Sequence, residues 1–188
     1  MVPPLPGELR LESDRVTLRD WRDEDAAAIG PVCGEWDVCA FTSVPWEWSE
    51  AAALAWIDRQ RRKRAAGTVL ALAIQAPDDE RALGNVNLAG FADGGREAEI
   101  GYWLVPEARG RGLVTAATAL LSDWGFRNLG LERVEFAILP TNLASQRVAE
   151  RAGYRFETTL PRHCRYWLHD DPAADEWHDC LIWTSVGQ

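Results

Sequence analysis

Residues Ala108 to Asn128 read ARGRGLVTAATALLSDWGFRN, and the fold turns on this stretch. A turn, Arg109-Gly110-Arg111-Gly112, follows an apolar strand-like run. Behind it Leu113, Ala116, Ala117, Leu120, Leu121 and Trp124 recur at helical spacing, giving one apolar stripe. Such a turn leaves backbone N–H groups pointing outward, and the helix dipole adds partial positive charge at the same place. Together they suit a phosphate or pyrophosphate, and the two arginines strengthen the match. Glycine-rich loops are common, so the motif alone is only moderately specific.

Working outward, Ala98 to Leu104 is apolar on both faces, as expected of a central strand. Glu99 shares a face there with Gly101 and Trp103, an unusual setting for a carboxylate. Val69 to Gln75 and Leu83 to Phe91 read as strands joined by the turn Pro77 to Glu80, and Asp93-Gly94-Gly95 makes the next turn. Short turns imply antiparallel pairing. Arg133 to Ile138 alternates as a strand, so strand, helix and strand form a unit whose flanking strands run parallel. Asn142 to Ala152 is a second helix, ended by Gly153.

Nearer the start, residues 1–14 with three prolines read as a tail or lead-in, and Val16 to Arg19 as a first strand. Asp23 to Cys33 reads as a short helix, residues 34–48 as an irregular aromatic segment, and Ser49 as the cap of a helix reaching about Ala66. Tyr154 to Val186 reads as two strands joined by a long connection with its turn at Asp170-Asp171-Pro172. The expected fold class is α/β: a mixed, mostly antiparallel sheet with helices on both faces, in a single domain over residues 12–186 after a tail at 1–11.

Composition narrows the function. The chain has 188 residues, 47% hydrophobic and 26% charged, without a long apolar run or a secretory-type start, so no membrane association and a cytoplasmic location are expected. A net charge of -9 argues against a DNA partner. The basic run Arg59 to Arg64 reads first as an exposed helix end complementing the dipole. Four cysteines (33, 39, 164, 180) without a CxxC pair, and three scattered histidines, predict reduced, mostly buried thiols and no metal. Ten tryptophans suit core packing, a substrate cleft or a homodimer interface.

Two segments carry a family resemblance. EIGYWLVPEARGRGLVTAA and the run from Asn142 through Ser145 to Gly153-Tyr154, at their observed separation, resemble the GCN5-related N-acetyltransferase (GNAT) superfamily, and within it the ribosomal-protein N-terminal acetyltransferase-like branch. The resemblance covers about residues 12 to 186 and implies an acyl-CoA N-acyltransferase fold. It implies that Arg109, Gly110, Arg111, Gly112, Leu113, Val114 and Thr115 hold the pyrophosphate of coenzyme A. Trp103, Leu104, Val105, Asn142 and Ser145 would complete the cofactor contacts. Val114 departs from the small residue usual at its position. The resemblance also implies that the strands at 98–104 and 133–138 splay to admit the pantetheine arm. Asn142 is in any case a good helix cap.

The implied chemistry is direct attack of a neutral amine on the thioester, with no cysteine nucleophile and no metal. Ser145 matches the branch's acid, while the tyrosine used by many other members is replaced by Ala149. Ser145 read without the family is a first-turn residue satisfying its own backbone. Glu99 is the favoured base, through water and with a pKa raised by burial, and Glu97 is the alternative. A structural carboxylate paired with an arginine is an equally good reading of Glu99. The acceptor amine is expected between the 30–50 region and the 160–178 connection. Glu35, Trp36, Trp46, Trp48, Tyr166 and Trp167 would form its walls, and Asp37, Glu47 and Asp170 would add charge. The function expected is transfer of acetyl from acetyl-CoA to a protein N-terminal or small-molecule amine. Transfer of succinyl or another acyl group (Arg162 or Arg165 binding its charge) and a non-catalytic acyl-CoA-binding module are the alternatives.

Overall fold

The computed structural model describes residues 4–42, 44–168 and 171–187, the side chains of 165–175 excepted. Among these residues eight strands form one sheet: β1 (Arg10–Glu12), β2 (Thr17–Arg19), β3 (Val69–Gln75), β4 (Gly84–Ala92), β5 (Glu97–Leu104), β6 (Arg133–Ile138), β7 (Arg155–Leu168) and β8 (Asp171–Val186). Their order is β1-β2-β3-β4-β5-β6-β8-β7. All neighbours pair antiparallel except β5 and β6. The helices are α1 (Trp36–Cys39), α2 (Glu50–Ala65), α3 (Leu113–Asn128) and α4 (Leu143–Arg151), with a 3-10 helix at Asp23–Val32.

Helices cover both faces of the sheet, as the two-sided strands require. Leu88 of β4 lies against α3, where a Cβ on Gly125 would stand 3.2 Å from its Cδ1. On the opposite face Trp103 of β5 meets Trp56 of α2 and Trp21, with ring centroids 6.0 and 5.6 Å apart. Trp21 donates its indole N–H to Asn85 Oδ1 at 3.0 Å, whereas the buried Trp103 Nε1 has no hydrogen-bond partner among the described residues. Nearby, Arg19 and Asp25 form a buried two-pronged ion pair at 2.6 and 2.8 Å. No helix among the described residues is long and apolar enough to cross a membrane.

Local chemistry explains the helix ends. Ser49 Oγ accepts the Ala52 N–H at 3.1 Å, capping α2, and Gly67 follows its last turn at φ 71°. The basic run on α2 is engaged within the protein. Arg61 pairs with Asp23 at 2.7 Å, Arg62 with Asp58, and Arg64 with Asp20.

Several segments differ from the expectations above. Arg10–Glu12, within the expected tail, is a strand, because the turn at Ser13, whose Oγ accepts the Val16 N–H, folds it back on β2. Asp23–Val32 is a 3-10 helix, and Pro31, without an N–H to donate, falls near its end. Residues 160–168 and 171–178 do not form a connection between strands: β7 and β8 pair with each other there, before β8 reaches Leu181 and begins to pair with β6. The thiols at 164 and 180 are not reduced. Cys164 and Cys180, Cα atoms 5.9 Å apart on facing strands, form a disulfide. Cys33 and Cys39 remain free.

Candidate active site

The parallel ladder between β5 and β6 holds at only three positions, Glu97–Arg133, Ala98–Val134 and Glu99–Glu135. Beyond Glu99 both strands continue, so a gap opens between them. Val105 donates its N–H to the Leu83 carbonyl at 2.9 Å. Antiparallel alternation from that bond turns the backbone groups of Trp103 and Gly101 toward β4 and those of Ile100, Tyr102 and Leu104 into the gap. On the β4 side the register shifts between Ala89 and Ala92, opposite Glu99 and Glu97, with Gly90 at φ 60°. A bulge of this kind bends a strand and re-aims its neighbours.

At the far end of β5 lies the glycine turn. Gly110 and Gly112 take φ of 74° and 78°, a backbone only glycine adopts readily, and Gly112 starts α3. The first bond into α3 runs from the Ala116 N–H to the Gly112 carbonyl, at 3.1 Å. The amides ahead of it, including those of Leu113, Val114 and Thr115, have no acceptor one turn back in the helix. Leu113 and Val114 bury their side chains in the core, so the β-branched Val114 is accommodated by packing and its N–H stays at the turn. Arg109 folds back, Nε and Nη2 donating to the Leu104 carbonyl at 3.2 and 3.1 Å, and its Nη2 also pairs with Glu35. Trp103, Leu104 and Val105 are buried, which leaves only their backbones for a ligand. For Trp103 and Val105 that backbone faces β4.

Across the gap stands α4. Asn142 caps it, its Oδ1 accepting the Ser145 N–H at 3.0 Å. The Ser145 Oγ lies 2.8 Å from the Tyr102 hydroxyl. Burial pushes the Tyr102 phenol up from its ordinary value, and the Ser145 contact draws it back in part. Tyr102 was absent from the sequence-based side-chain candidates; only the parity of β5 and the position of α4 bring it to Ser145.

Glu99 opens onto the opposite side of the sheet. Its side chain is exposed rather than buried, contrary to expectation. The surrounding protein still desolvates it enough to raise its pKa, the Glu135 charge raises it further, and His163 opposes both. A carboxylate in a concave site is reached by water yet poorly hydrated, so exposure and a raised pKa coexist. Among the described side chains Glu99 has no arginine partner, whereas Glu135 accepts from Arg133 at 3.1 Å. Glu135 and His163 were also missed by sequence reading; they meet Glu99 only through strand register and the β7–β8 hairpin.

The expected acceptor walls divide. Trp36, in α1, lines a cavity of about 350 Å³ with Leu139, Pro140, Thr141, His178 and Asp179. Trp46 packs against the core, and Trp48 lies over Gly30 with 46% of its surface exposed. Glu35 is engaged by Arg109, while Asp37 and Glu47 are exposed. The Tyr166 and Trp167 side chains, and Asp170 altogether, fall outside the described residues. Arg162 holds the hairpin with its N–H on Asp179 Oδ1 at 2.9 Å, and the Arg165 side chain is not among those described.

Comparison with known proteins accords with this geometry. A family model described as an acetyltransferase (GNAT) domain matches residues 15–155. The chain is 27% identical over 153 residues to a Bacillus subtilis protein named uncharacterized N-acetyltransferase YoaA, covering 81% of this chain and 86% of that one. A shorter match, 40% over 80 residues, joins it to another Bacillus subtilis protein, YjcK, named as an N-acetyltransferase; it spans 42% of this chain and 44% of the relative. Among solved structures, Mycobacterium smegmatis RimJ in complex with CoA-disulfide superposes with a TM-score of 0.78 at 26% identity, over 97% of this chain and 90% of that one.

Proposed function

The chain belongs to the GNAT acetyltransferase family, and on that premise we propose that it moves an acetyl group from acetyl-CoA to a primary amine by direct attack, without an acyl-enzyme intermediate. The observation that carries this reading is the gap beyond Glu99 and Glu135. It has backbone groups of Ile100, Tyr102 and Leu104 along one side, the glycine turn at its end and Ser145 across it. An extended chain bearing amides can add to β5 there as a strand would, and a pyrophosphate suits the N-terminus of α3.

In this reading the pantetheine arm of acetyl-CoA enters the gap and the thioester carbonyl is polarised by a backbone N–H of β5, that of Tyr102 being directed into it. The amine approaches from the side of Glu99 and gives up a proton to it through water. Nitrogen then bonds to the carbonyl carbon and gives its second proton to water, and the C–S bond breaks with its electron pair passing to sulfur. The thiolate takes a proton through Ser145, which regains one from solvent. The Trp36 cavity, with Asp179 at its wall, suits the body of a cationic acceptor, either a peptide N-terminus or a small amine.

Release of free thiol from acetyl-CoA and from succinyl-CoA, measured against panels of amines and N-terminal peptides, tests the proposal. Amine-dependent release from acetyl-CoA is expected, with loss of turnover but retained CoA binding in E99Q and S145A. CoA binding with no thiol release against the whole panel would leave a non-catalytic acyl-CoA-binding module as the better reading.

A further inference from the structure

Ser145 sits in the first turn of α4, where a serine commonly turns its hydroxyl onto nearby backbone. Here the Asn142 carboxamide already serves the Ser145 N–H at 3.0 Å, and the Ser145 Oγ faces the Tyr102 hydroxyl at 2.8 Å. The Tyr102 ring is itself set from the side by Phe136, edge to face with centroids 5.9 Å apart. Strand β5 therefore presents Tyr102 twice to the same region: its backbone toward the gap, and its phenol to Ser145.

A serine hydroxyl has one proton to donate and lone pairs to accept. If Ser145 donated to Tyr102, only lone pairs would face a departing sulfur, and these repel a developing thiolate. If Tyr102 donates, the Ser145 proton is the one left to turn toward sulfur. We propose that Tyr102 is a positioning residue: its phenol donates to Ser145 Oγ and thereby aims the Ser145 proton at the leaving thiolate. The inference rests on the role given to Ser145 above. Because burial holds the phenol in its protonated form to higher pH than usual, the donor persists through the working range.

The test uses the full-length protein and the acceptor that gives the fastest thiol release. Y102F is expected to lower kcat about 10- to 50-fold while KM for acetyl-CoA changes less than about twofold, less than the roughly 100-fold or more of a direct proton-transfer group, as suits a residue acting through another. The Y102F/S145A double variant is expected to be no slower than S145A, since Tyr102 acts only through Ser145. Site-specific replacement of Tyr102 by a fluorotyrosine, which keeps the shape but has a more acidic phenol, is expected to bring the alkaline limb of kcat to lower pH; this also serves if Y102F does not fold. Wild-type kcat in Y102F, multiplying losses in the double variant, or an unmoved alkaline limb overturns the assignment and leaves the hydroxyl pair a structural tie between β5 and α4. Absence of amine-dependent thiol release from the wild-type protein overturns the acyltransferase reading itself, and this inference with it.

Discussion

Arg109 of the glycine turn is paired with Glu35, immediately ahead of α1, while two of its nitrogens hold the Leu104 carbonyl at the end of β5. One side chain thus joins the turn assigned to the acyl donor with the segment that leads into Trp36. The pair is partly exposed, at 45% and 30%, so solvent screening limits its worth to about 1 kcal/mol or less.

Loss of Arg109 should therefore act on binding more than on stability. R109A is expected to raise KM for acetyl-CoA roughly tenfold, the size of a lost charge-assisted phosphate contact. E35Q should leave that KM within about twofold and change Tm little. Steady-state kinetics with both variants decide it, and equal acetyl-CoA KM values for R109A and wild type would remove Arg109 from the donor site.

The pH profile should follow Glu99. A base must be ionised, and desolvation with help from Glu135 raises the pKa of this carboxyl, so activity falls as pH drops through a limb above the ordinary carboxylate range. E135Q removes the repulsion and should move the acidic limb of kcat/KM to lower pH. H163Q removes the opposing interaction and should move it higher. Profiles taken with one acceptor, so that its own ionisation is constant, check both shifts; coincident limbs in all three proteins would argue against Glu99 as the base.

Stability should depend on Asp25 more than on any surface pair. Arg19 and Asp25 are only 4% and 8% exposed, and Asp25 also accepts the Arg22 N–H at 2.8 Å. D25A would strand a buried guanidinium, at a cost of about 3–5 kcal/mol. Denaturant titration should show the midpoint falling accordingly, whereas D58A, which breaks an exposed pair on α2, should move it by less than about 1 kcal/mol.

Gly84 should tolerate no side chain. A Cβ there would stand 2.2 Å from the Trp103 carbonyl oxygen and 3.0 Å from the Leu104 Cα, both backbone atoms that cannot turn aside. G84A should cost about 2 kcal/mol or more and shift β4 against β5. Thermal unfolding measures the loss; a Tm equal to wild type would mean the two strands separate more easily than their register suggests.

Much of the fold was legible because it is written in local patterns. The apolar stripe from Leu113 to Trp124 specified α3, Ser49 and Gly67 marked the ends of α2, and the short turns predicted antiparallel neighbours. What failed was of another kind. The distal hairpin was read as a connection because its polar residues break the alternation, although strand pairing satisfies its backbone regardless. The Cys164–Cys180 bridge was missed because a spacing of 16 residues says nothing of closeness until the strands face each other.

The sequence by itself determined the local elements of the proposed donor side: a glycine turn, a helix N-terminus and a capped second helix, each encoded within a few consecutive residues. Only the tertiary structure decided which groups meet. It ended the β5–β6 ladder at Glu99 and Glu135, set Tyr102 against Ser145, brought His163 toward Glu99 and tied Arg109 to Glu35. These contacts join residues 36 to 74 positions apart, and sheet register alone sets the nearest of them, the facing carboxylates at 99 and 135. Periodicity reports which face a residue occupies. Register and strand order decide what stands opposite it, and those come from packing the whole sheet.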